Sequence, residues 1–202
     1  MKSLKLIASF MMAAVVLLAF NNPEKTTAYN VDIKQSDVQW TGRKVGGEHT
    51  GKIKIKEGSL DMEGNKLIGG NFAIDMTTIE NEDLSGEYKA KLEGHLKSDD
   101  FFGVATYPTA SFVITEAKAK SGSEYEVTGN LTIKDITHEI TFPATINTSG
   151  NQVTADAKIV VDRANYNVRY GSDSFFDNLG DKVIYDDFDL EVSLVAATAV
   201  GK

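Results

Sequence analysis

The chain has 202 residues, of which 42% are hydrophobic and 25% are charged, with a formal net charge of -8 and no cysteine. This composition is typical of one soluble domain, and it excludes collagen-like, disordered, disulfide-stapled and polytopic membrane chains. The acidic balance and the lack of a basic stripe argue against a nucleic-acid partner, because an acidic surface repels phosphate backbones. Without cysteine there is no thiol nucleophile, no disulfide and no acylated lipoprotein anchor.

The first element in chain order has the layout of a secretory signal peptide. Lys2 and Lys5 precede an apolar run of 15 residues, 6–20, that only Ser9 interrupts. A polar stretch follows this run. As a helix this run rises only about 22 Å, short of the ~30 Å hydrocarbon core of a bilayer. We therefore predict a cleaved signal peptide over residues 1–28 rather than a stable membrane anchor. The remaining domain, residues 29–202, is predicted to be periplasmic or secreted.

Strict alternation of apolar and polar residues dominates the rest of the chain. Residues 52–56 alternate lysine and isoleucine, so one face is apolar and the other meets water. The same period, broken by turn signals such as Glu57-Gly58, recurs in further segments: 37–42, 72–76, 112–114, 125–133, 140–146, 157–161 and 188–194. About eight short strands in one domain predict an all-β fold, an antiparallel sandwich or closed barrel.

Two segments break this period. Leu84, Tyr88 and Leu92 follow one another at helical spacing, which predicts a helix over residues 81–98. Residues 165–185 carry tyrosine and phenylalanine among glycine, serine, aspartate and asparagine, which predicts a long loop with one helical turn.

No catalytic or metal-binding motif is present in the sequence. The nucleophile elbow, the phosphate-binding loop and the dinucleotide-binding glycine motif are all absent. The three histidines, His49, His95 and His138, share no spacing that is typical of metal ligands. We therefore predict no catalytic residues, no metal and no enzyme.

Arg163 is the polar residue that most needs an explanation. It continues the inward phase of the strand before it, and a buried guanidinium needs a carboxylate, carbonyls or a ligand headgroup. Two alternatives stay open: an ion pair with Asp99, Asp100 or another acid at the barrel mouth, or contact with a ligand. The same choice between a structural and a ligand-binding role holds for His49 and His95.

Several short motifs also follow one another in a characteristic order. They are Ser36-x-Val38-x-Trp40-x-Gly42, His49-Thr50-Gly51, Gly70-x-Phe72-x-Ile74-Asp75, residues 95–102, residues 107–112 and residues 129–137. Together with Arg163 they resemble the YceI-like family over residues 29–196. The chain departs from the family pattern at Asp135, where glycine is usual, and at Tyr166-Asn167, where Phe-Gly is usual.

The resemblance implies a lipocalin-like antiparallel barrel in the periplasm, and the predicted helix is expected to cap one end of it. It implies that the barrel holds a long amphiphile, such as a polyisoprenoid, an isoprenoid quinone or a fatty-acid derivative, for transport, storage or stress protection. The bound isoprenoid lipid or quinone is then a ligand, and no cofactor is expected. An eight-stranded barrel is about wide enough to be filled by side chains or to hold one slender ligand. Small inward residues such as Gly51, Gly129 and Ala157 are expected to leave room for it.

We predict the ligand-binding residues from the inward positions. The tube is predicted to be lined by Trp40, Ile53, Phe72, Ile74, Phe112, Leu131, Ile133, Phe142, Ile159 and Phe188. The cap or gate is predicted to contain Leu92, His95, Leu96, Phe101 and Phe102. The predicted headgroup contacts are Arg163, His49 and Tyr166.

Three alternatives remain at this stage. In the first, all of these residues are simply core. In the second, the chain is an enzyme that acts on a lipid in the same cavity, with His49, His95 and Arg163 as its acid, base and anion-stabilising group. In the third, the barrel is filled and binds a protein partner, a homodimer being one form, through the aromatic residues of the 166–185 loop.

Overall fold

A computed structural model describes residues 25–198 of the chain. Within this range there are nine strands and one α-helix: β1 (Thr26–Val31), β2 (Asp37–Lys44), β3 (Gly47–Glu63), β4 (Lys66–Asn81), α1 (Gly86–Lys97), β5 (Thr109–Ala119), β6 (Glu124–Ile133), β7 (Ile136–Ser149), β8 (Gln152–Asp162) and β9 (Ile184–Ala197). Most of the predicted signal peptide, residues 1–28, lies outside the described residues, and its last three residues begin β1.

Strands β2 to β9 form a closed antiparallel barrel of eight strands, which confirms the predicted fold. Each strand pairs with the next along the chain, and β9 returns to pair with β2, where Trp40 lies opposite Leu190. The short strand β1 pairs with the far end of β3 and touches the end of β9. Strands β1 and β2 therefore occupy one place in the barrel wall, one after the other.

The two ends of the barrel differ. The helix end carries α1, which follows the last residue of β4. The closed end lies opposite, where β1 runs, and its inward side chains have almost no exposed surface: Leu60, Met62, Leu67, Val153 and Ala196. Because these side chains pack tightly, the barrel interior is blind at the closed end. Among residues 25–198, no helix is long and apolar enough to cross a bilayer.

A bulge, and not a turn, accounts for the Glu57-Gly58 signal in β3. The pairing of β3 with β4 steps from Ile55↔Ile74 to Glu57↔Ala73, so β3 carries one extra residue at this point. The extra residue shifts the alternation by one, so that Gly58, Leu60 and Met62 face inward after the bulge. The predicted turn is therefore wrong, because the glycine marks a close approach to the Phe72 ring.

The predicted helix begins later than expected. Asn81 is instead the last residue of β4, and residues 82–85 form an irregular connection in which the buried Asn81 side chain accepts a hydrogen bond from the backbone N–H of Leu84. Gly86 starts α1 in the left-handed region, at φ 59°, which glycine adopts without strain. Tyr88, which the sequence placed on the apolar stripe, is 77% exposed. Helix α1 covers the barrel mainly through Leu96, its buried residue.

The departure from the family pattern at Asp135 lies in the tight turn between β6 and β7. Lys134 and Asp135 have φ values of 51° and 59°, as a two-residue hairpin turn requires. The turn places the Lys134 ammonium against the carbonyls of Phe101 and Asn167, at 2.9 and 3.2 Å. These two hydrogen bonds offset the strain of a left-handed backbone that glycine would avoid.

Small inward residues behave differently from the sequence expectation. A Cβ atom on Gly51 would lie 2.6 Å from the Trp40 ring, and one on Gly129 would lie 2.5 Å from the Phe112 ring. The space at these two glycines is therefore occupied by aromatic rings and is not left open. Ala157 does line open space inside the barrel.

This packing makes Gly51 and Gly42 a matched pair for a stability test. We expect Gly51→Ala to lower the free energy of unfolding by about 3 kcal/mol, the upper end of the usual cost of overpacking, because the new methyl group would collide with the backbone carbonyl of Glu80 as well as with the Trp40 ring. Gly42→Ala, also on an inward strand position, meets nothing within 4 Å and should be close to neutral. Urea unfolding of both variants measures the difference, and equal stability would contradict this account.

Candidate ligand-binding cavity

A cavity of about 410 Å³ lies inside the barrel, within the roughly 300–1,000 Å³ that is common for ligand pockets. Its lining along β9 extends from Ile184 to Leu194. Ten residues at ~3.3 Å each, on a strand tilted by roughly 40°, correspond to about 25 Å of barrel axis. The cavity is therefore long and slender, and its length is similar to the ~30 Å hydrocarbon thickness of a bilayer.

The cavity wall is apolar, and all ten residues predicted to line the tube do so. The Phe112 ring is part of this wall, 5.5 Å from the Phe142 ring and 6.4 Å from the Phe72 ring. Sequence reasoning missed the deeper part of the wall, which includes Leu60, Leu67, Ile146, Ala155 and Leu194. The same two-residue period marks these positions and could have found them.

The predicted cap residues also line the cavity, at the helix end. The chain turns back sharply after α1, since the N–H of Phe102 donates to the carbonyl of Leu96 at 3.1 Å. The Phe102 ring then reaches across to Phe188, with 6.5 Å between ring centroids. His95 stands edge-on between the rings of Phe101 and Tyr170, at 4.8 and 4.4 Å.

Arg163 lines the helix end of the cavity, yet its hydrogen-bond donors point into the protein. The side chain is only 4% exposed and donates to four backbone carbonyls at 2.8–3.2 Å: Val168, Tyr170, Ile184 and Tyr185. Asp186 Oδ1 lies 3.2 Å from Nη2, which makes Asp186, and not Asp99 or Asp100, the acidic partner. Burial lowers the pKa of Arg163, and the charge of Asp186 opposes that shift. The guanidinium therefore holds the 163–183 loop against β9.

Tyr166 is the predicted ligand contact that does not line the cavity. It sits in a short 3-10 turn, Arg163–Tyr166, and is 1% exposed. Its ring packs edge-on against His138, 5.4 Å away, and its hydroxyl has no partner among the described residues. Burial raises the pKa of the Tyr166 hydroxyl. Sequence adjacency to Arg163 suggested a shared role, but the turn directs the two side chains to different places.

His49 is fixed at the cavity wall by a carboxylate that sequence reasoning missed. Its Nδ1 lies 2.8 Å from Oδ2 of Asp83, while Oδ1 of Asp83 accepts the N–H of Thr50 and the side-chain amide of Asn81, at 2.8 and 2.5 Å. Asn81 is fully buried and also donates to the carbonyl of Thr50. No spacing rule connects His49 with Asp83, because they are 34 residues apart and meet only when β3 and β4 pair.

Comparison with known proteins identifies the family. A family model described as the YceI-like domain matches residues 29–196. The chain belongs to the YceI-like family. UPF0312 protein of Pseudomonas putida strain KT2440 is 36% identical to it over 93 residues, which are 42% of this chain and 48% of that protein. This YceI-like chain thus aligns with about half the length of the curated relatives it matches.

Solved structures share the YceI-like barrel. BcnA of Burkholderia cenocepacia is 25% identical, with a TM-score of 0.68 over 83% of this chain and 99% of that one. A polyisoprenoid binding domain from Saccharophagus degradans, implicated in plant cell wall breakdown, is 15% identical, with a TM-score of 0.63 over 86% of this chain and 99% of that one. The second likeness is one of fold alone.

The carboxylate that holds His49 should give this YceI-like chain an acid-sensitive site. Partial burial alone would raise the pKa of Asp83, but hydrogen bonds from His49, Thr50 and Asn81 outweigh it and lower the pKa. A carboxyl group whose pKa is lowered by folding stabilises the fold above its unfolded pKa of about 3.9, and this contribution is lost as the pH falls through the folded value.

We therefore expect Asp83→Asn to cost about 1 kcal/mol at neutral pH and to flatten the loss of stability on acidification. Thermal unfolding of the wild type and the variant, from neutral pH to about pH 3, measures both effects. Asp181→Asn, at an exposed loop position, is the control. A stability difference between wild type and Asp83→Asn that does not change with pH would contradict the expectation.

Proposed function

We propose that this chain binds one long amphiphile, with the apolar tail of the ligand inside the barrel and its headgroup at the helix end. The observation that carries the proposal is a blind apolar cavity about 25 Å long whose polar residues lie at one end. Each methylene group that leaves water for such a cavity contributes roughly 0.8 kcal/mol. Burial of a tail of 15 or more carbons therefore supplies enough free energy for binding, and no catalytic group is needed.

The proposed ligand class is a polyisoprenoid, an isoprenoid quinone or a fatty-acid derivative. The slender cavity favours a single extended chain over a compact ligand, and the solved polyisoprenoid binding domain shares this fold. We further propose that residues 1–28 direct export, so that the protein carries, stores or protects such a lipid outside the cytoplasm. The run of apolar residues at positions 6–20 supports this part of the proposal.

Two alternatives gain less support from the geometry. His49, His95 and Arg163 line one cavity, as an enzyme would require, but the donors of Arg163 are committed to backbone carbonyls and Asp186. That leaves the enzyme without its anion-stabilising group. A filled barrel that binds a protein partner does not account for 410 Å³ of internal space.

Extraction of the purified protein tests the proposal. Protein prepared without detergent should release a prenyl or fatty-acyl lipid into organic solvent, detected by mass spectrometry in near-stoichiometric amount. Protein stripped of lipid should then take up a prenol or quinone of defined chain length. An empty barrel that also fails to take up either ligand would overturn the proposal.

A further inference from the structure

The polar residues at the helix end of the cavity are not equally available to a headgroup. Arg43 binds Glu48 and Asp189, at 3.3 and 2.7 Å, and Arg163 is committed to carbonyls and Asp186. The His95 ring is packed between two aromatic rings, with its Nε2 3.6 Å from Asp100. Lys44 is exposed at the end of β2 and is held by no partner among residues 25–198. His49 alone combines a fixed ring with an uncommitted nitrogen, Nε2.

We propose that Nε2 of His49 accepts a hydrogen bond from the headgroup, so that the cavity selects amphiphiles ending in a hydroxyl group, such as a prenol or a hydroquinone. The inference rests on the proposed function and adds the headgroup chemistry to it. Asp83 is a positioning residue in this scheme, because it acts on the ligand only through the His49 ring.

The strand geometry directs the free edge of the ring toward the cavity. His49 has the same parity as Gly51, Ile53 and Ile55, which face inward along β3. His49 lines the cavity whereas Asp83 does not, so the ring stands between the carboxylate and the cavity. The nitrogen opposite the carboxylate, Nε2, therefore faces the interior.

The neighbouring strand leaves room for a headgroup beside this nitrogen. Gly42 lies directly opposite His49 in the β2–β3 pairing and also lines the cavity. A Cβ atom on Gly42 would meet nothing within 4 Å, in contrast to the covered glycines deeper in the barrel. Residues directly opposite on paired strands have side chains about 5 Å apart, so this space is within reach of Nε2.

The hydrogen bonds of Asp83 decide which nitrogen of His49 carries the proton. An ionised carboxylate only accepts, so Nδ1 must donate to Asp83 and the lone pair of the neutral ring lies on Nε2. Nε2 can then accept from a hydroxyl group but repels the lone pairs of a carbonyl or an ether oxygen. The pKa of Asp83 is lowered, which keeps this carboxylate ionised at neutral pH.

Asp83→Asn should remove the preference without changing the size of the site. The oxygen at the Oδ1 position accepts from the N–H of Thr50 and from Asn81, so the amide nitrogen of the variant must face His49. An NH₂ group donates to Nδ1, and the ring proton moves to Nε2. The Nε2–H of the variant can then donate to a hydroxyl oxygen or to an ether oxygen, because both accept, so the advantage of a hydroxyl headgroup is lost.

The test compares a prenol with its methyl ether, which has the same tail and accepts but cannot donate. Affinities are measured at alkaline pH, where imidazole is neutral, and ¹⁵N chemical shifts of the His49 ring report which nitrogen is protonated. We expect the wild type to favour the prenol by about 2- to 10-fold, the usual range for one net hydrogen bond. His49→Phe should abolish this preference, and Asp83→Asn should bring the ratio close to one with the ring proton on Nε2. Gly42→Val should weaken binding of both ligands by filling the headgroup space.

His138→Phe serves as the control, since His138 lies outside the cavity lining and should leave the ratio unchanged. If both ligands bind but the ratio is the same in wild type, His49→Phe and Asp83→Asn, the headgroup site is wrong and the proposed function stands. If neither ligand binds to the wild type, the proposed function fails and the headgroup site fails with it.

Discussion

Arg163→Met is expected to lower the free energy of unfolding by about 3–5 kcal/mol, the usual cost of removing one partner from a buried ion pair. The change leaves four backbone carbonyls without the guanidinium donor and Asp186 without its cation, although Oδ2 of Asp186 still accepts from Ser172 and Ser174. Each buried acceptor that loses its donor costs about 1–3 kcal/mol unless water reaches it, so the loss is shared between unpaired groups and local loosening of the loop.

The conservative variant Arg163→Lys should recover only part of this stability. An ammonium group is a point charge with three donors and cannot reproduce the planar guanidinium that serves four carbonyls at once. Arg169→Met is the matched control, because Arg169 lies in the same loop but is exposed and stacks on the Phe175 ring at 4.8 Å. We expect this control to cost about 1 kcal/mol or less.

Chemical unfolding followed by fluorescence and circular dichroism measures these differences. A second readout is ligand uptake, because Ile184 and Tyr185 both accept from Arg163 and line the cavity. Loosening the loop should therefore weaken binding even under conditions where Arg163→Met is folded. An Arg163→Met variant within about 1 kcal/mol of the wild type would show that water satisfies these carbonyls and would contradict the structural role.

The sequence predicted the barrel wall well because inward position follows from parity alone. In β6, and in β3 as far as its bulge, every second residue faces inward, and the period can be read without knowing which strands pair. The β3 bulge broke this rule, since Glu57-Gly58 has the composition of a turn and only pairing with β4 shows that the strand continues. Strand β1 was missed because its six residues straddle the predicted cleavage point.

The polar end of the cavity was harder to predict than its wall. The partners of Arg163 and His49 are brought to them by the 163–183 loop and by the turn after β4, and loop conformation does not follow from a repeating pattern. Tyr166 shows the consequence, since neighbours in sequence need not share a surface once the backbone turns. An inward arginine or histidine thus predicts a buried polar site, but it does not predict which group satisfies it.

Ala157→Phe is expected to weaken tail binding by about 30- to 150-fold while leaving the barrel folded. Ala157 lines the cavity and lies opposite Ala144 across β7 and β8, so a ring can extend into open space there. A buried aromatic ring covers about 150–250 Å². If about half of this area is taken from the ligand, the loss at ~25 cal/mol per Å² is about 2–3 kcal/mol.

Val160→Phe provides the control for this prediction, because Val160 lies on the outer face of the same strand and is 61% exposed. Titration of lipid-free protein with one prenol measures both affinities, and urea unfolding checks that Ala157→Phe is stable. The new phenylalanine ring would fill empty space next to apolar side chains, so without ligand the variant should be at least as stable as the wild type. Weaker binding by a folded Ala157→Phe but not by Val160→Phe supports a tail inside the barrel, whereas equal affinity of the two variants would place the tail elsewhere.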